Sequence, residues 1–214
     1  IDAEGLRRSA ASPAGQAVAR RYPRDDGGKR WVNWLFVGRV APHKRHNELI
    51  AAFSHYQRHL QQRSRLLLVG AWQAFPAYKA ELDYQIARLG ARDVTFAGQP
   101  ALAEGFGGWY AAADIFVSAS EHEGFGLPLV EAMAFGLPVV ARARAGVPGA
   151  VGDCGLLVDR SEPEALAEGA RILLDDSAVR AFYAAGQPAR VAAHDRAHVA
   201  AALREALAVI TGGR

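Results

Sequence analysis

Six short apolar runs constrain this chain more than any other feature. They are Trp34-Leu35-Phe36-Val37-Gly38, Leu66-Leu67-Leu68-Val69-Gly70, Val94-Thr95-Phe96-Ala97-Gly98, Ile115-Phe116-Val117, Pro138-Val139-Val140-Ala141 and Gly155-Leu156-Leu157-Val158. Continuous apolar runs without alternation read as strands covered on both faces, and such strands run parallel. The segments between them read as helices: Asn47 to Leu60, Tyr78 to Leu89, one ending over Trp109 to Ala113, and Leu127 to Phe135. Pro163 to Leu174 and Ala178 to Ile210 supply terminal helices. Half of the residues are apolar, enough for a substantial core. The pattern predicts a doubly wound, Rossmann-like α/β sheet, in which ligands bind outside the carboxyl ends of the strands.

The most informative strand end follows Ile115-Phe116-Val117-Ser118 and reads Ser120-Glu121-His122-Glu123-Gly124-Phe125-Gly126-Leu127-Pro128. Pro128 suits the first turn of a helix, where its missing N–H is not needed. The two glycines let the backbone approach a ligand, and free amides at a helix start attract anions and hydroxyls. Glu123 lies in the turn and Glu131 about one turn inside the helix, seven residues between them. Glu131 stands among Leu129, Val130, Ala132 and Met133, where burial is costly without a partner; a sugar or ribose would suit it. The first strand ends Gly38-Arg39-Val40-Ala41-Pro42-His43-Lys44. It lacks the second glycine and the Lys-Ser/Thr pair of a P-loop. Arg39 and Lys44 can nevertheless clamp a diphosphate, one bidentately and one as a point charge.

Glu123-(x7)-Glu131, filled with Gly-Phe-Gly-Leu-Pro and followed by Ala-Met, resembles the E-x7-E signature of retaining GT-B glycosyltransferases. Among them it most resembles the GT4 family of nucleotide-sugar-dependent enzymes. Over roughly Trp34 to Leu174 the resemblance implies the C-terminal, donor-binding half of such an enzyme. It implies transfer of a sugar from a nucleoside diphosphate to an acceptor hydroxyl, with the anomeric configuration kept. The catalytic set it implies is Glu123, Arg39 and Lys44. Glu123 and the Gly124, Phe125, Gly126 and Leu127 segment would orient the sugar, and Glu131 would hold the ribose. Gly38, Arg39 and Lys44 would bind the diphosphate, and Gln99, in Phe96-Ala97-Gly98-Gln99-Pro100, would sit beside the base. No resident cofactor and no metal are expected, and no Asp-x-Asp is present. The acceptor, a glycan or lipid-linked glycan, would belong to a second Rossmann domain upstream. Three departures stand out: Arg45 where a glycine is usual, Gly149 in place of a glutamate after Gly146-Val147-Pro148, and Gly105, Gly107 and Gly108 before Trp109.

Composition limits the partners. Lys plus Arg number 25 and Asp plus Glu 22, a net charge of +3, too small an excess to argue for nucleic acid. The lone Cys154 favours a reducing compartment. No run of about 18 apolar residues spans a membrane, and no signal peptide is seen. The expected setting is cytoplasmic, with peripheral association at a membrane's inner face. The chain begins at Ile1 and its single methionine is Met133, so a fragment of a longer protein is expected. Residues 1–30, basic and broken by Pro and Gly, read as a solvated linker from a missing N-terminal domain, with Leu6 to Tyr22 able to hold a helix broken around Pro13, and 31–214 as the donor domain with its C-terminal helices. His55 and His59 share a helix face without a third ligand. Two competing readings are a GT-B phosphorylase or epimerase and a non-catalytic nucleotide-binding module. A phosphorylase would need a pyridoxal lysine, and the last lysine is Lys79.

Overall fold

The computed structural model describes residues 1–160 and 162–210. Six strands form one parallel sheet: β1 (Val32–Val37), β2 (Ser64–Val69), β3 (Val94–Gly98), β4 (Ile115–Ser118), β5 (Val139–Arg142) and β6 (Leu156–Val158). Their order is β3-β2-β1-β4-β5-β6. Trp34 of β1 registers with Leu66 of β2 on one side and with Ile115 of β4 on the other. Every residue of β1, β4 and β5 is buried, whereas the edge strands β3 and β6 are half-buried. Unbroken apolar runs therefore mark the interior of the sheet, as the sequence predicts.

The chain's helices are α1 (Ala3–Ala11), α2 (Pro13–Arg21), α3 (His46–His59), α4 (Pro76–Leu89), α5 (Gly107–Ala112), α6 (Leu127–Ala134), α7 (Val147–Val151), α8 (Pro163–Asp175), α9 (Ser177–Ala184), α10 (Gln187–Ala193) and α11 (Arg196–Ile210). The predicted terminal helix from Ala178 is thus three helices, interrupted at Gly186 and at His194. From β1 the chain winds outward to β3, then returns to β4 and winds the other way. With right-handed crossovers this puts α3 and α4 on one face and α6 and α7 on the other. α8 crosses back to pack on α3, while α1 and α2 lie on α5.

Within residues 1–22 the helix broken at Pro13 is present, but these residues are packed against the domain rather than solvated. Asp2 caps α1, Ser12 caps α2, and Pro13 opens α2. Ala3, Leu6, Ser9 and Tyr22 are buried, and the Tyr22 ring lies 5.5 Å from that of Trp109. The glycines before Trp109 explain the packing. A β-carbon on Gly107 would collide with the Leu6 carbonyl, and one on Gly108 would lie 2.5 Å from the Gly15 carbonyl oxygen. Helix α5 gives up side chains so that two other helices can approach its backbone. Residues 24–30 are exposed, though Arg24 donates to the Ala111 carbonyl and pairs with Asp114 at 3.3 Å.

Candidate active site

The sheet reverses direction between β1 and β4, and open α/β sheets bind ligands at such a reversal. Two loops meet there. One runs from Gly38 to Arg45 after β1; the other runs from Ala119 to Gly126 after β4. Glu121 donates its backbone N–H to the His43 carbonyl at 3.0 Å, which joins them. Lys44 reaches across as well. Its Nζ lies 2.6 Å from Glu123 Oε1 and donates to the His122 carbonyl at 3.2 Å. Only 14% of the Lys44 side chain and 12% of that of Glu123 are exposed, so the pair is well shielded from water. Arg39 is exposed and makes no hydrogen bond or ion pair among the described residues. His43 stands between these cations. Burial pushes its pKa down, and Lys44 and Arg39 push it further, so at neutral pH it is uncharged.

Gln99 joins the same place from β3. It lines a cavity of about 130 Å³ with Val37, Gly38, Arg39, Gly70 and Phe106, beyond the ends of β1 and β2. A larger hollow, about 840 Å³, lies elsewhere, among Arg7, Met133, Gln187, Val191 and His198. It holds none of the expected site residues.

Helix α6 starts at a left-handed Gly126 with φ 76°, and Pro128 sits in its first turn. A β-carbon on Gly126 would press on Leu129 and Ala150 at 2.9 Å. Phe125 and Leu127 flank it with half-exposed side chains, and the Phe125 ring meets His194 edge-on at 5.1 Å. Gly124 has open space around it, and the Glu123 carbonyl beside it accepts from the Gly146 N–H at 3.0 Å.

Glu131 has a partner inside the protein. The hydroxyl of the fully buried Tyr110 donates to Glu131 Oε2 at 2.6 Å. Burial raises the pKa of Glu131, and this hydrogen bond works against the rise. Oε2 is thus engaged by protein rather than waiting for a ligand, while the other oxygen makes no hydrogen bond among the described residues.

Arg45 does not join the cations around Arg39 and Lys44 as free charge. Its guanidinium pairs with Glu121 and, through Nε at 3.6 Å, with Glu48. Gly149 is exposed with open space around it, so no side chain occupies the position of the usual glutamate. Two residues of the site carry no local signal in the sequence. Tyr110 is 21 positions from Glu131 and reads as a core aromatic, and Arg142, buried at the end of β5, pairs with Glu48. The His55 and His59 rings lie 4.8 Å apart, but no group of three or more potential metal ligands occurs among the described residues.

A sequence model described as "Glycosyl transferases group 1" matches residues 32–176, well over half of the chain and both site loops. The chain belongs to the glycosyl transferases group 1 family. It is 35% identical over 154 residues to a D-inositol 3-phosphate glycosyltransferase of Xylanimonas cellulosilytica, covering 71% of this chain and 36% of that protein. It is 33% identical over 146 residues to the O-antigen chain mannosyltransferase B of Escherichia coli, covering 67% of this chain and 37% of that one. Its fold matches a crystal structure of Anabaena Alr3699/HepE in complex with UDP and glucose at a TM-score of 0.76 and 28% identity, over 92% of this chain and 52% of that one. The C-terminal domain of a group 1 family glycosyl transferase (LpcC) from Francisella tularensis matches at 0.71 and 26%, with 91% of this chain and 97% of that domain covered. This group 1 chain therefore spans about a third to a half of its longer relatives and nearly all of an isolated C-terminal domain. Its sheet is the C-terminal Rossmann-like half of a GT-B glycosyltransferase.

Proposed function

We propose that this chain is the donor-binding half of a retaining, GT4-type glycosyltransferase that moves a hexose from a nucleoside diphosphate to an acceptor hydroxyl. The observation that carries the reading is the meeting of Arg39, Lys44 and Glu123 where the sheet reverses, tied by the ion pair between Lys44 and Glu123. In this reading Arg39 and Lys44 neutralise the charge that develops on the leaving diphosphate, the electrostatic service a metal gives in other transferases. Among the described residues Arg39 makes no hydrogen bond or ion pair that a diphosphate would have to displace. Glu123 with the Gly124 to Leu127 backbone orients the sugar, Glu131 holds the ribose through the oxygen that Tyr110 leaves free, and Gln99 lies toward the base. The acceptor, a glycan or lipid-linked glycan, is bound by a second domain. The setting is the cytoplasm, at a membrane's inner face when the acceptor is lipid-linked. The lone Cys154 suits a reducing compartment, and among the described residues no helix is long and apolar enough to cross a membrane.

The test is a calorimetric titration with UDP, GDP, ADP and the matching nucleosides. UDP or GDP should bind measurably and ADP poorly. Replacing both Arg39 and Lys44 with Ala should weaken the diphosphate by about 1.5–3 kcal/mol per lost charge-assisted bond and leave the nucleoside almost unchanged. Equal losses for nucleoside and diphosphate would rule out the clamp. Binding of no nucleotide at all would reject the donor site.

A further inference from the structure

Arg45 adopts φ 50° and ψ 43° just ahead of α3. That is the left-handed region, which a β-carbon disfavours and glycine enters freely. An arginine kept in this conformation implies that its side chain returns something. The guanidinium pairs with Glu121 of the loop after β4 and with Glu48 of α3. Glu48 pairs in turn with Arg142, whose side chain is 4% exposed. A line of alternating charge thus runs from the exposed loop to the buried end of β5. Glu121 is anchored a second time, by its own N–H on the His43 carbonyl. The Arg45–Glu121 pair is itself over a third exposed, and exposed pairs add little to global stability. What it fixes is the register of the two site loops.

We propose that Arg45 and Glu121 form a latch that holds the loop after β4 against the start of α3, so that Lys44 and Glu123 can leave one another for diphosphate and sugar without the loops parting. Both are positioning residues. The proposal rests on the donor-site reading above and deepens it, with Arg45 and Glu121 acting through Lys44 and Glu123.

The sign of one effect separates a latch from a field. Glu121 is an acid beside an anion site, so acting through its charge alone it would repel a diphosphate, and its removal would tighten binding. As a latch, its removal loosens binding. The full chain and the variants Glu121→Ala, Glu121→Gln and Arg45→Gly are titrated with UDP and with uridine. Amide exchange over residues 119–126 is followed by mass spectrometry, with thermal midpoints as a control for folding. The Glu121 variants should bind UDP about three- to tenfold more weakly, with uridine changed less than about twofold and the thermal midpoint held, and exchange in this segment should quicken. Arg45→Gly should quicken exchange in the same segment, and Arg45→Gly with Glu121→Ala should quicken it no further than either substitution alone. UDP binding as tight as in the parent chain, or exchange unchanged in Glu121→Ala, overturns the latch. If the parent chain binds no nucleoside diphosphate, the donor reading fails while the exchange rates still decide the latch.

Discussion

Lys44 Nζ and Glu123 Oε1 lie 2.6 Å apart, so the cation proposed for the diphosphate and the carboxylate proposed for the sugar neutralise one another. A diphosphate must compete with Glu123 for Lys44. Glu123→Gln should therefore bind UDP about three- to tenfold more tightly, on the order of 1 kcal/mol. The complete enzyme should lose turnover with the same substitution. Weaker binding of UDP by the variant in a calorimetric titration would show that the carboxylate does not compete.

Tyr110 holds Glu131 from within the core. Its ring stacks on Phe135 at 5.4 Å and its hydroxyl bonds Oε2 at 2.6 Å. Tyr110→Phe keeps the packing and removes the donor, leaving a half-buried carboxylate less well satisfied. The variant should lose about 1–2 kcal/mol of stability, and its Glu131 should titrate at higher pH than in the parent. Carbon-detected NMR of the carboxyl group against pH checks the second outcome. An unchanged titration would mean that the hydrogen bond is not made in solution.

His46 gives the fold an acid-sensitive point. It is fully buried beside Phe36 and Tyr78, and burial lowers its pKa to about 4. The unfolded chain takes up this proton near pH 6.5 and the folded chain near 4. Stability from this group is complete above pH 6.5 and falls as the pH drops toward 4, by on the order of 2–4 kcal/mol. Glu131 and Asp114, whose pKa values burial raises, act in the opposite direction. His46→Gln isolates the histidine. Its denaturation midpoint should vary less between pH 4 and 6.5 than that of the parent, and an identical slope would remove His46 as the cause.

Ala145 is strained where glycine would not be. It has φ 46° in the turn before Gly146, whose N–H holds the Glu123 carbonyl. Ala145→Gly should stabilise the chain by up to about 1 kcal/mol, the relief of the left-handed conformation exceeding the entropy that glycine adds to the unfolded state. Urea unfolding checks it, and a lower midpoint would mean that the turn is already relaxed.

The strands and the positions of the candidate residues at their ends were legible in the sequence because both are local. A run such as Leu66-Leu67-Leu68-Val69 leaves little choice but a strand buried on both faces, and Gly126 and Pro128 mark the start of α6 wherever it packs. Arg39, Lys44, Gln99, Glu123 and Glu131 could accordingly be placed at strand ends and a helix start without any coordinates. Which strand ends become neighbours is a different matter. The order β3-β2-β1-β4-β5-β6 brings Lys44 to the His122 carbonyl, 78 positions away, and so to Glu123. Tyr110 reaches Glu131, and Arg45 closes on Glu121, in the same way. The first 22 residues show the limit most plainly. The sequence offers a helix broken at Pro13 with arginines and small residues that spell solvent exposure, yet both halves pack because α5 offers a glycine surface that a backbone can approach. Helix caps and apolar runs act through neighbours in the chain and can be read from it. Ion pairs, hydrogen bonds between loops and helix-on-helix contact depend on surfaces that exist only once the sheet has been assembled.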